Sequence, residues 1–192
     1  MESVKHALDN LSESSLYDYR RKQGYHAVVG EGSLEAHIMV IGEAPGEREA
    51  KSGRPFVGAS GRLLDELLAS IGLKREDIYI TNVVKDRPPE NRDPSPGEIS
   101  LYAPLLREQI EIIQPRVIAT LGRFAMSFIF EFLDVQTDHA PKISDVHGQV
   151  FRGAASYGEV AVVPLFHPAV ALYSTQRRGT LFADFEALAA YL

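Results

Sequence analysis

Four short apolar runs punctuate the chain, at residues 37–41, 78–81, 117–121 and 160–165. None alternates polar with apolar positions, so each predicts a strand buried on both faces. The segments between them change period. Residues 60–71 place Leu63, Leu64, Leu67, Leu68 and Ile71 on one helical face, with Ser60 a candidate cap and Gly72 past the end. Residues 96–114 have a sharper start: Ser95 can cap, Pro96 suits the first helical position, Glu98 completes a capping box, and Pro115 stops the helix. Residues 124–132 are apolar nearly all round, which predicts a buried helix. A last helix over 176–191 turns Leu181, Phe182, Phe185 and Leu188 inward. The first 36 residues open with a short helical pattern and close in a glycine-containing turn at 30–33. Residues 143–151 predict a small extra strand or hairpin. Apolar strands separated by helices predict one α/β domain over residues 1–192, a three-layer α/β/α sandwich around a four-stranded parallel sheet.

Composition narrows the possibilities. The chain has 192 residues, 45% of them hydrophobic, enough for one substantial core. No run approaches the length of a membrane span, and the N-terminus lacks the pattern of a secretory signal, so a cytoplasmic, membrane-free monomer is expected. Cysteine is absent, which excludes disulfides, thiolate zinc sites and cysteine-held iron–sulfur clusters. The net charge of −6 argues against tight non-specific nucleic-acid binding. Basic residues nevertheless gather in loops: Lys51 and Arg54; Lys85, Arg87 and Arg92; Arg177 and Arg178. No phosphate-cradling Gly-x-x-x-x-Gly-Lys-Ser/Thr motif is present.

Ligands of a parallel sheet bind beyond the C-terminal strand ends. Here those ends carry Gly42-Glu43, Asn82 and His167, with Phe56 in the loop after the first strand. A carboxylate, an amide, an aromatic ring and an imidazole in one crevice suit a planar heterocycle. Singly, each has a blander reading: a turn, a capping amide, a core ring or a surface histidine. Together they favour a site. His6, His26, His37, His139 and His147 read as ordinary structural or surface residues.

The order of these segments is specific. Gly42-Glu43-Ala44-Pro45-Gly46, Gly53-Arg54-Pro55-Phe56-Val57-Gly58, Thr81-Asn82-Val83-Val84-Lys85, Arg87-Pro88-Pro89 with Asn91-Arg92, and His167-Pro168 resemble the successive motifs of the family 4 uracil-DNA glycosylases. The resemblance runs from about residue 28 to 190. It implies a DNA repair enzyme that flips uracil out of DNA and hydrolyses its N-glycosidic bond, leaving an abasic site. Glu43, Asn82 and His167 would be catalytic, and Gly42, Ala44 and Phe56 would join Asn82 and His167 in holding uracil. Phe56 would stack, Asn82 would read the base edge, Glu43 would position water or substrate, and His167 would face uracil O2. Lys85, Arg87, Arg92, Pro168, Arg177 and Arg178 would approach DNA. Ala44 stands where other uracil-DNA glycosylases carry a water-activating aspartate, which implies a largely dissociative reaction. A glycosylase for other deaminated bases and a catalytically weak binder of uracil or abasic DNA remain as alternatives.

One element of the resemblance is broken. The family holds a [4Fe–4S] cluster with four cysteines, and the corresponding positions here are Ser15, Asp18, Asp86 and Tyr102. The expectation is no cofactor and no metal. In place of the cluster the sequence allows a polar staple using Arg20, Arg21 or Arg87, a divalent ion between Asp18 and Asp86, or looser packing.

Overall fold

The computed structural model describes residues 1–191. Helices α1 (Glu2–Asp9) and α2 (Ser15–Gln23) come first. The strands are β1 (Glu31–Gly32), β2 (Ile38–Gly42), β3 (Tyr79–Asn82), β4 (Val117–Leu121), β5 (Phe151–Ala155) and β6 (Gly158–Leu165). They form one sheet in the order β1-β3-β2-β4-β6-β5. The four inner strands are parallel, as the apolar runs predict. Two short antiparallel strands, β1 and β5, extend it at the edges, so the sheet has six strands and not four. The run at 143–151 divides: residues Ile143–Val146 form a helical turn, α7, and the edge strand begins at Phe151. Edge strands escape a search for apolar runs because one side of each faces solvent.

Successive side chains of a strand point to opposite faces, and both faces are covered here. Ile38 and Val40 join Val117, Ala119, Ala161 and Val163 beneath α4 (Ala59–Ser70) and α8 (Thr175–Ala189). Met39 and Ile41 join Ile118 and Val162 beneath α1, α5 (Pro96–Ile113) and α6 (Arg123–Phe132). The capping box of α5 is formed: Ser95 accepts from the Glu98 N–H, and Glu98 returns to the Ser95 N–H at 2.8 Å. The start of α4 differs from expectation. Its N-cap is Gly58, and Ser60 lies inside the first turn. A short helix, α3 (Glu47–Ser52), also stands where the sequence reads as loop. No helix among the described residues is long and apolar enough to cross a membrane.

Candidate uracil pocket

A cavity of about 380 Å³ opens beyond the C-terminal ends of β2, β3 and β6. Glu43, Ala44, Phe56, Asn82 and His167 all line it, so the structure brings together the residues that sequence singled out. Gly42 is not itself a lining residue; it packs against the side chains of Asn82 and Phe56, which are. A Cβ there would lie 2.4 Å from Asn82 Oδ1 and 2.6 Å from Phe56 Cζ, so only glycine leaves both side chains in place. Asn82 ends β3 and is 1% exposed, yet its Oδ1 has no hydrogen-bond partner among the described residues. A buried polar atom without a partner is costly, and such atoms mark binding sites. Phe56 is also held at a cost. Its φ of 51° lies in the left-handed region, about 1–3 kcal/mol above ordinary backbone. Its ring centroid is 5.9 Å from that of His167.

His167 follows β6, and its Nδ1 accepts from the Ala169 N–H at 3.2 Å. That bond places the ring proton on Nε2 and leaves a donor for a ligand. Burial pushes the imidazole down to about 4, against a smaller opposing pull from Glu49, so it is neutral at physiological pH. Glu43 moves the other way. Burial and then the charge of Asp93 raise its carboxyl to about 7, partly countered by Arg123.

Two polar lining residues have no role assigned to them by the sequence. Glu49, on α3, accepts from the Val57 and Gly58 N–H groups, both at 2.8 Å, and so anchors the loop that carries Phe56. Its signal would have been a helix before the Phe56 loop. Asn91 lines the cavity mouth and accepts from Arg87 Nε at 2.8 Å. Glu90 and Asn91 both have positive φ, which marks this loop as tightly specified.

The expected DNA contacts divide. Lys85 is not one of them. It is fully buried, and its Nζ donates to Thr81 Oγ1, the Asn82 carbonyl and Gln109 Oε1 at 2.5 to 2.7 Å. Burial without a neighbouring carboxylate drives its pKa well down. It supports the end of β3 from inside. Arg87 is also turned inward, donating to Asn91 and to the Tyr25 hydroxyl. Pro168 is buried and shapes the loop after β6 from within. Arg92 lines the cavity but makes two hydrogen bonds to Glu98, whose carboxyl that guanidinium lowers to about 2. Arg178 pairs with Glu66, and Arg177 is exposed.

The residues at the former cluster positions do not fit an iron–sulfur cluster. None can supply a thiolate, and two are already committed to one another. Tyr102 donates to Asp86 Oδ2 at 2.6 Å, and Arg20 Nη1 reaches Asp86 Oδ1 at 3.0 Å. Ser14 lies 3.1 Å from the Tyr102 hydroxyl, and Arg20 also donates to the Leu8 carbonyl. Arg20 stacks beside the Tyr17 ring. This buried staple joins α2, the loop after β3, and α5. Ser15 is peripheral to it and donates to Glu98. Asp18 takes no part: it is exposed, and no side-chain partner holds it. Asp86 is occupied by Arg20 and Tyr102, so a divalent ion shared with Asp18 has no ligand set. Among the described residues no group of three or more His, Asp or Glu could hold a metal.

A sheet with a parallel core and, beyond its C-terminal strand ends, a pocket lined by Glu43, Phe56, Asn82 and His167 has the layout of a nucleobase-recognising α/β protein. The chain matches the family described as the uracil DNA glycosylase superfamily over residues 29–191, and it belongs to that superfamily, in its type-4 branch. It is 47% identical to the type-4 uracil-DNA glycosylase of Archaeoglobus fulgidus over 88% of this chain and 82% of that one. The type-4 uracil-DNA glycosylase of Sulfurisphaera tokodaii is 42% identical over 97% of this chain and 82% of its own. A type-5 uracil-DNA glycosylase from Pyrobaculum aerophilum is more distant, at 32% over 76% of this chain and 67% of its own.

Proposed function

We propose that this protein is a uracil-DNA glycosylase that hydrolyses the bond between uracil N1 and deoxyribose C1′. The observation that carries the reading is the Asn82 amide: it lines the cavity, is buried, and keeps an acceptor with no partner among the described residues. An amide offers an acceptor and a donor side by side, matching the N3–H and O4 of uracil. Phe56 supplies the stacking face. As the N1–C1′ bond breaks, its electron pair passes to the base and negative charge spreads to O2. Neutral His167, donating from Nε2, meets that charge without having to protonate the base. The sugar becomes cationic at C1′, and water adds there, giving up a proton to the Glu43 carboxylate, while the departed uracil anion takes up a proton from solvent. Glu43, when ionised, accepts a hydrogen bond from that water and stabilises the cation. Ala44 carries no second carboxylate, so bond breaking runs ahead of water attack.

The test is alkali-induced strand cleavage after incubation with single- and double-stranded DNA containing one uracil. Cleavage at the uracil position is expected with both. No cleavage at high enzyme excess would overturn the reading. Oligonucleotides containing hypoxanthine or xanthine measure the base range in the same assay.

A further inference from the structure

Phe56 presents the stacking ring from backbone that L-residues avoid, and that conformation persists only where the surroundings over-determine it. One contact comes from a residue that does not line the cavity. Arg75, in the turn preceding β3, donates from Nη2 to the Pro55 carbonyl at 2.6 Å and from Nη1 to the Phe56 carbonyl at 3.1 Å. These two oxygens flank the φ and ψ of Phe56. In extended backbone, successive carbonyls point to opposite sides of the chain. In the left-handed conformation they turn toward the same side, where one planar guanidinium can take both. The guanidinium is itself fixed: Asp65 Oδ1 is 3.0 Å from Nη1, and Glu31, on edge strand β1, stands 3.8 Å from Nε. Gly61 closes the far side, because a Cβ there would come within 1.7 Å of the Phe56 oxygen.

We propose that Arg75 is a positioning residue for base recognition, which sets the Phe56 backbone and thereby the angle of the ring that stacks on uracil. The proposal rests on the glycosylase reading for its catalytic consequence and on the two carbonyl contacts for its geometry. A lysine keeps the charge and the pairing to Asp65 but cannot bridge both oxygens as a planar fork.

Single-turnover excision by wild type, F56A, R75A, F56A/R75A and R75K tests it, at a temperature where circular dichroism shows each protein folded. R75A is expected to lose on the order of tenfold or more in rate, F56A at least as much, and R75K an intermediate amount. Because Arg75 acts through the ring, the double variant should match F56A within about twofold. Losses that multiply, or a folded R75A with the wild-type rate, overturn the proposal. Should R75A fail to fold, R75K carries the test: a melting temperature within about 5 °C of wild type together with wild-type excision overturns it. Backbone amide shifts of Val57 and Gly58 report the conformation without catalysis. They should move in R75K, and unchanged shifts would overturn the geometric step. Failure of wild type to release uracil would refute the glycosylase reading and leave that amide measurement to decide Arg75.

Discussion

The pocket and the staple share the loop after β3, and they are built on opposite terms. In the pocket, Asn82 Oδ1 is buried and unpartnered, Phe56 is strained, and Glu43 is held near neutrality. In the staple, the buried oxygens and guanidinium nitrogens of Arg20, Asp86, Tyr102 and Ser14 find partners in one another and in the Leu8 carbonyl. At Asn82 an acceptor is left open for a ligand, whereas the paired groups of the staple hold a scaffold. Of the four positions where the resemblance implies cluster ligands, Asp86 and Tyr102 are built into the ion-paired staple, while Ser15 and Asp18 lie outside it. The scaffold task is to join α2, α5 and the loop between β3 and α5. Different chemistries can do that. The pocket task is to match one base edge, which leaves little freedom.

The sharpest way to break this contrast is Asn82→Ala. It removes the amide but satisfies no scaffold group, so excision should fall by roughly a thousandfold or more while the melting temperature holds or rises. Single-turnover kinetics and a thermal melt check both halves. Wild-type excision by this variant would dissolve the pocket assignment. Arg20→Ala should do the reverse. It leaves Asp86 buried beside Tyr102 without its cation and should cost about 3–5 kcal/mol of stability by denaturant titration. Excision at a temperature where the variant stays folded should change by no more than about twofold. A large loss in folded protein would mean that the staple also sets the pocket.

The pH profile comes next in size. Glu43 has its folded pKa raised from an ordinary carboxylate value to about 7, and His167 has its own lowered to about 4. Across pH 5.5 to 8 the imidazole therefore stays neutral, while Glu43 passes from mostly protonated to mostly ionised. If the ionised carboxylate is the working form, excision rises with pH through an inflection near 7, by roughly tenfold or more over that span. Glu43→Gln should flatten the profile. The stability effect has the opposite sign. Below its unfolded pKa, Glu43 is protonated in both states and costs nothing. As pH climbs toward 7 the unfolded chain ionises it first, so its contribution turns destabilising.

The two regions were not equally legible in the sequence. The four apolar runs defined the parallel core because strands covered on both faces need no alternation. Gly42, Asn82 and His167 could be read because motif order tied each to a strand end, and Phe56 because its own motif follows the first in order. What sequence could not supply was the direction of long side chains. Lys85 and Arg87 are basic residues in a loop near DNA-facing motifs, yet both point inward, because Thr81, Asn82 and Gln109 surround one and Tyr25 and Asn91 hold the other. The staple was visible in outline through Asp86, Tyr102 and Arg20. Its serine is Ser14 and not Ser15, a one-residue difference that turns on which hydroxyl faces inward at the start of α2. Arg75 gave no signal, since its contacts with the Phe56 loop are made to backbone carbonyls.

The smallest expected effect concerns the cations left for DNA once Lys85 is assigned to the interior and Arg87 to its contacts with Asn91 and Tyr25. Arg177 is exposed at the start of α8, beside the loop that follows His167, and it has no ion-pair partner among the described residues. Arg178 is next to it but neutralised by Glu66. A single phosphate contact contributes about 0.7 to the salt slope on single-stranded DNA and about 0.9 on duplex. Arg177→Ala should therefore weaken DNA binding by a few-fold near physiological salt and reduce the slope by about that amount. Arg178→Ala should do less, because its phosphate contact would first have to break a surface pair that already screens it. Fluorescence anisotropy against salt concentration measures both. Equal slopes for the two variants would show that the Glu66 pair yields freely to phosphate. An unchanged slope for Arg177→Ala would move the DNA path away from α8, toward the Arg92 side of the cavity.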